Sequence, residues 1–284
     1  MVLEALFNPF RVKTRPWQMF AAGFLYSLVG LGLAYFVFKE IAGILTVFLI
    51  VLSTFPMLYT TIKNEEELDL RYEKEWRLLK EHTKVLIFLM FLFFGITAAL
   101  ALAYVFLPQP VVDNIFSLQE QAIVSVNNNV QGKLTGKWTR FEIFGKIFFN
   151  NMKVLFFCIV FSLLYGAGAI FILTWNASVI AAAMGNIFKT ELAKTASFVG
   201  FSNIATYFNV ATFSFFRYMT HGLLEIVAYF TAGLAGGIIS IALIKHNLQE
   251  ERVLIDALDL VLISVGLLLV AGFIEVYITP LLFS

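Results

Sequence analysis

A chain of 284 residues that is 60% hydrophobic and only 14% charged has too few polar side chains to cover a water-facing surface, because soluble domains run near a quarter charged. Its mean hydropathy of +0.85 therefore excludes an ordinary soluble globule, and a net charge of +1 offers neither a basic surface for nucleic acid nor an acidic tail. The lone cysteine, Cys158, cannot form an internal disulfide, and its apolar neighbours disfavour the thiolate that a nucleophile needs.

Residues 1–16 carry Leu3, Leu6, Phe7 and Phe10 at helical spacing, then Arg11, Lys13 and Arg15. This predicts a short interfacial anchor with its basic residues toward headgroups, limited by Pro9 and Pro16. The run that follows is too long for a signal-peptide core and lacks a small-residue cleavage site. The first span is expected over 17–38, with Trp17 as an interfacial aromatic. Lys39-Glu40 makes a polar turn, and 41–62 reads as the second span.

Residues 63–84 hold a third of the chain's charged side chains. Leu68, Tyr72, Trp76 and Leu79 recur at helical spacing, and Glu67/Arg71 and Glu73/Arg77 are i, i+4 pairs with the acid first. The pattern predicts one amphipathic helix outside the bilayer, either solvated with one packed stripe or presenting a docking surface. A third span over 85–107 ends at Pro108-Gln109-Pro110. In the polar stretch to Gly145, Val112, Ile115, Phe116, Ile123 and Val126 suggest a surface-lying helix, broken by Asn127-Asn128-Asn129, Gly132 and Gly136.

The fourth span is expected over 148–174. Residues 176–188 are too short to cross, and 198–216 are interrupted by Asn203, Thr206, Asn209 and Thr212, so 176–216 is either one crossing or re-entrant. Two long spans follow, 219–244 and 253–282, joined by a charged turn. The fold class is thus an all-α polytopic transmembrane bundle of six to seven spans with one amphipathic cytoplasmic helix. It divides into a two-span module over 1–84 and a membrane domain over 85–284.

Lysine and arginine bias places the N-terminus and 63–84 in the cytoplasm. With seven spans, Lys189 and Lys194 join that side, giving thirteen basic residues against seven; with six the ratio is twelve to eight. The expected location is the cell membrane, multi-pass.

Small residues mark close helix contacts. Ala228, Ala232, Gly236 and Ser240 form a stripe beside Gly233 and Gly237, while Gly166, Gly168 and the run ending at Gly185 form others. They fit packing within one chain or a homodimer.

His221 and Glu225 are i, i+4 on one helix face, and Glu275 lies in the last span. The turn between the two spans centres near 249, 24 residues after Glu225 and 26 before Glu275. At about 1.5 Å per residue an antiparallel hairpin brings both carboxylates to one depth. Carboxylates in hydrocarbon must pair, bind a cation, stay protonated or line a wet cavity. Three readings stay open: a structural clasp, a metal site of His221, Glu225 and Glu275 suited to a divalent ion such as zinc with an open fourth position, and a proton or substrate site. No metalloprotease helix motif, Ser-His-Asp spacing or phosphate loop is present, so catalysis is not expected. Asp256 and Asp259 read as interfacial or capping residues. Asn150 and Asn151 can hydrogen-bond across helices, and Asn176 reads as a helix cap.

Phe148-Phe149-Asn150-Asn151, Gly166 and Gly168, Asn176 with Gly185, His221-Gly222-x-x-Glu225, the Gly233/Gly236 stripe and Glu275 resemble, in order and spacing, the stage II sporulation protein M family over roughly 85–284. Thr220 stands where that pattern expects proline, and Ala177 where it expects glycine. The resemblance implies a membrane scaffold, similar in kind to an organiser that holds partner proteins, among them a cell-wall hydrolase, at an engulfing membrane. It implies that His221, Glu225, Glu275 and the asparagines form the family's polar site. The expected function is thus a scaffold or envelope-remodelling component, a homodimer in the lipid bilayer with membrane or envelope protein partners. The alternatives are a transporter of a small or lipid-like solute, with 176–188 as a broken helix, and a metal-dependent intramembrane hydrolase.

Overall fold

The computed structural model describes residues 16–71, 75–134, 139–199, 204–245 and 251–282, and among them there is no strand. The elements are α1 (Trp17–Val37), a 3-10 turn (Lys39–Ile41), α2 (Ala42–Arg71), α3 (Glu75–Phe106), α4 (Gln109–Leu134), α5 (Arg140–Tyr165), α6 (Ala169–Val199), α7 (Ile204–Ile244), α8 (Glu251–Phe273), a π-helical turn (Ile274–Ile278) and α9 (Thr279–Leu282). Seven of the described helical stretches are long and apolar enough to cross a membrane: 17–37, 39–65, 81–106, 140–165, 169–194, 219–244 and 251–282. The expected anchor over 1–15 lies outside the described residues, as do the side chains of Leu68, Tyr72, Trp76 and Leu79.

Three expectations are corrected. First, 63–84 is not a separate amphipathic helix. No glycine or proline stands between Met57 and Phe94, so nothing stops α2 or α3 at the membrane edge. Residues 63–71 extend α2 and 75–84 open α3, and the contact between His82 and Glu65 sets these charged ends side by side as a helical hairpin. Second, α4 continues through Asn127-Asn128-Asn129 to Leu134. Val112, Ile115 and Phe116 are buried as their spacing requires.

Third, the fourth span is 140–165 rather than 148–174. It starts at a capping box: the Glu142 N–H donates to Thr139 Oγ1 at 3.3 Å, and the Thr139 N–H donates to the Glu142 carboxylate at 2.7 Å. It stops at Gly166, whose φ of +72° is a conformation that side chains with a Cβ rarely adopt. The next helix starts at Ala169 and runs unbroken to Val199. Residues 176–188 are therefore the middle of a helix long and apolar enough to cross, and no break interrupts it there. Residues 204–218 lengthen α7 ahead of its apolar part.

Lys189 Nζ donates to Gln109 Oε1 at 3.2 Å. Lys189 thus lies on the face of the bundle where α3 ends, opposite the hairpin, not with it. Moving Lys189 and Lys194 across weakens the basic-residue bias toward the hairpin side.

The centre of the bundle is α7, whose span is 83% buried against 17% for α5 and 28% for α8. Its small-residue stripe is used up within the chain. A Cβ on Gly236 would stand 2.6 Å from the Ile159 carbonyl oxygen on α5, and one on Gly233 2.6 Å from Ala169 Cβ on α6. Ala228 and Ala232 are fully buried, so this stripe has no face left for a dimer. Gly185 meets the Tyr104 ring of α3 in the same way, and Gly168 closes back on Phe161.

Candidate functional site

Four elements, α5, α7, the π turn and α9, bring polar side chains together at the level of Glu225. The Asn151 side-chain amide on α5 donates to Glu225 Oε1 on α7. His221, one turn earlier on α7, places Nδ1 3.3 Å from Thr279 Oγ1. Glu275 lies within electrostatic range of Glu225. Tyr229, one turn further into α7 and 5% exposed, is in range of both carboxylates and of Cys158. The pairs His221/Glu225 and Thr279/Glu275 thus face each other in antiparallel register.

The local backbone has a cause in the sequence. Pro280 lacks an N–H, and its ring would press on the Val276 carbonyl in a regular α-helix. The chain widens into a π turn, in which the Thr279 N–H bonds back to the Ile274 carbonyl. Such single π turns interrupt α-helices mainly where side chains need special placement. Here the turn carries Glu275 and leads directly to Thr279.

The other expected site residues divide. Asn151 is buried within the cluster, while Asn150 next to it is exposed. Asn176 is not a cap: it stands inside α6, and its buried side-chain nitrogen has no hydrogen-bond partner. Since Ala169 packs on Gly233, seven residues along the antiparallel α6 bring Asn176 level with Ile226, beside Glu225 in sequence.

The geometry also bears on a metal. Among the described residues no group of three or more His, Cys, Asp or Glu side chains is placed to hold a metal ion. The reason is visible in the partners: His221 Nδ1 turns to Thr279, and Glu225 turns to Asn151. The trio are neighbours without forming a ligand set.

A second cluster, which the sequence reading missed, lies at the hairpin end of the bundle. His82 on α3 is fully buried, with Nδ1 3.0 Å from Glu65 Oε2 on α2 and Nε2 3.0 Å from Asp256 Oδ2 on α8. Glu65 is also fully buried, and the Asp256 side chain is 16% exposed. Asp256 is therefore a partner in an interhelical triad rather than a cap. Beside it, Lys245 Nζ from the end of α7 donates to Glu67 Oε1 at 3.0 Å. A usable signal existed: Glu65 and His82 are equidistant from the hairpin tip near 73, the same register argument that aligns Glu225 with Glu275.

The family model for stage II sporulation protein M matches residues 84–280, and the chain belongs to that family. No curated protein and no solved structure matches it. The matched stretch holds the whole Glu225 cluster and Asp256. It leaves out α1, α2, Glu65 and His82.

Proposed function

We propose that this member of the stage II sporulation protein M family is a non-catalytic membrane scaffold, in which the Glu225 cluster fixes the packing of three helices. The observation that carries this reading is that its hydrogen bonds run between elements: Asn151 of α5 to Glu225 of α7, and His221 of α7 to Thr279 beyond α8. A clasp of this kind holds helices at a set angle and needs no ligand. Partners of the cell envelope would dock outside it, on the charged hairpin over 63–84. A homodimer would use the outward faces of α5 and α8, the least covered of the spans.

The test is a double-mutant cycle on Asn151→Leu and Glu225→Leu, read by thermal melting in detergent. Contacting polar partners couple by roughly 0.5–3 kcal/mol. Additive effects on melting would mean that the pair is not a clasp. Orientation is tested separately, with cysteines at Lys63 and Lys189. Lys63 should react from the cytoplasmic side and Lys189 from the other, while fully buried Cys158 stays silent.

A second reading, a site for a small polar solute, draws on the unpaired buried nitrogen of Asn176, since buried donors are nearly always satisfied by protein or by something bound. Under it, Asn176→Leu would abolish a ligand-dependent rise in melting temperature. Under the clasp alone there would be no such rise to abolish.

A further inference from the structure

The Glu65–His82–Asp256 triad joins the part of the chain outside the family match to the part within it. Glu65 and His82 belong to the hairpin helices α2 and α3, and Asp256 to the last span. A neutral imidazole has one N–H and one bare nitrogen. Both ring nitrogens of His82 face carboxylate oxygens at 3.0 Å. Both contacts are donor-to-acceptor bonds only when the triad holds two protons, both on the ring or one on the ring and one on an acid. With one proton fewer, a nitrogen lone pair faces a carboxylate lone pair, and that contact repels.

The other charges described on these elements are paired or exposed. On α2, Glu67 bonds Lys245 of α7, and Lys63 is exposed. On α3, Lys84 bonds Glu81. On α8, Glu251, Arg252 and Asp259 are exposed. The opposed placement of the two acids, one at each nitrogen, suits a proton and not a metal ion, which would need its ligands on one side.

We propose that Glu65, His82 and Asp256 form a proton-operated latch that docks the helical hairpin onto the last span and releases it when the ring loses its second proton. The latch closes when the ring is doubly protonated and both acids are ionised. It opens as pH rises and the ring loses a proton. A partner that docks on the hairpin is not required, so this inference and the scaffold reading stand or fall separately.

The experiment is hydrogen exchange on the full chain in lipid nanodiscs, following amides of residues 63–84 from pH 6 to pH 9 with intrinsic exchange corrected. A hydrogen bond to a charged group corresponds to about tenfold or more in local opening. Wild-type protection should therefore fall by at least about tenfold across the range. Asp256→Asn is the decisive variant. An asparagine amide can donate to Nε2 of a neutral ring whose Nδ1–H donates to Glu65, so both contacts survive without the second proton. This variant should keep the hairpin protected and flat with pH. His82→Gln should be flat and less protected throughout. Wild-type protection that does not change with pH, or a pH response in Asp256→Asn equal to that of wild type, would overturn the latch.

Discussion

The bundle carries one polar cluster toward each membrane face, and the two are built by opposite rules. The Glu225 cluster sits in apolar sequence, so every polar residue in it stands out, yet its interhelical hydrogen bonds are an amide to a carboxylate and an imidazole to a hydroxyl. The His82 cluster sits in charged sequence, where its members are camouflaged. It is nevertheless the more completely buried, with two carboxylates on one ring. Conspicuousness in a sequence thus measures contrast with neighbours, whereas energetic weight follows burial and the number of charges committed.

The sharpest way to break that comparison is to remove one ring from each cluster. His82→Leu leaves Glu65 buried without its histidine partner, and breaking a buried pair costs about 3–5 kcal/mol. Denaturant or thermal unfolding should show this as the largest single loss among the polar substitutions. His221→Leu removes one contact to a hydroxyl from a less buried residue and should cost about 0.5–1.5 kcal/mol. If His221 proves the costlier, the ranking by burial and charge is wrong.

The next effect sharpens the Glu225 cluster from within. Asn151→Leu strands a buried carboxylate and should cost about 1–3 kcal/mol, again by unfolding. Asn150→Leu, on the exposed side of the same helix, should fall within about 0.5 kcal/mol of zero. Equal losses at the two adjacent positions would mean that α5 faces the bundle differently. The smallest effect belongs to Thr279→Val, about 0.5–1.5 kcal/mol at most. It should be undetectable once His221 is already leucine, because the bond it removes is then gone. A full additional loss in the double variant would separate Thr279 from His221.

Much of the fold was legible because apolar run length is a strong signal and because only helices of that length satisfy their backbone in lipid. Five of the seven spans fall close to where hydropathy puts them. The region from 140 to 199 did not, because hydropathy cannot see a turn inside an apolar run. Gly166 reads equally as a packing glycine or a stop, and only its positive φ decides between them. Lys189 misled in turn, since its side depends on where that stop falls. The Glu225 cluster could be found by counting residues from the loop near 249. Glu65 and His82 yield to the same count from the tip near 73, but Asp256 does not. It reaches the ring across 174 residues, and no local pattern encodes that meeting.

The pairing of the first helix has a consequence for how the chain is made. α1 packs most intimately on α3, not on its neighbour α2: a Cβ on Gly95 would stand 2.1 Å from the Phe20 carbonyl oxygen, and one on Gly23 2.5 Å from that of Leu92. Backbones this close leave no room for lipid between them. The partner positions on α3 follow those on α1 out of the ribosome some 70–75 residues later, at about 5–20 residues per second a wait of several seconds. During biogenesis α1 must therefore sit in the bilayer, or against the insertion machinery, with its glycine face uncovered. Lengthening the delay at that stage, by slow codons between 40 and 90, would expose it to membrane proteases and chaperones before its groove exists.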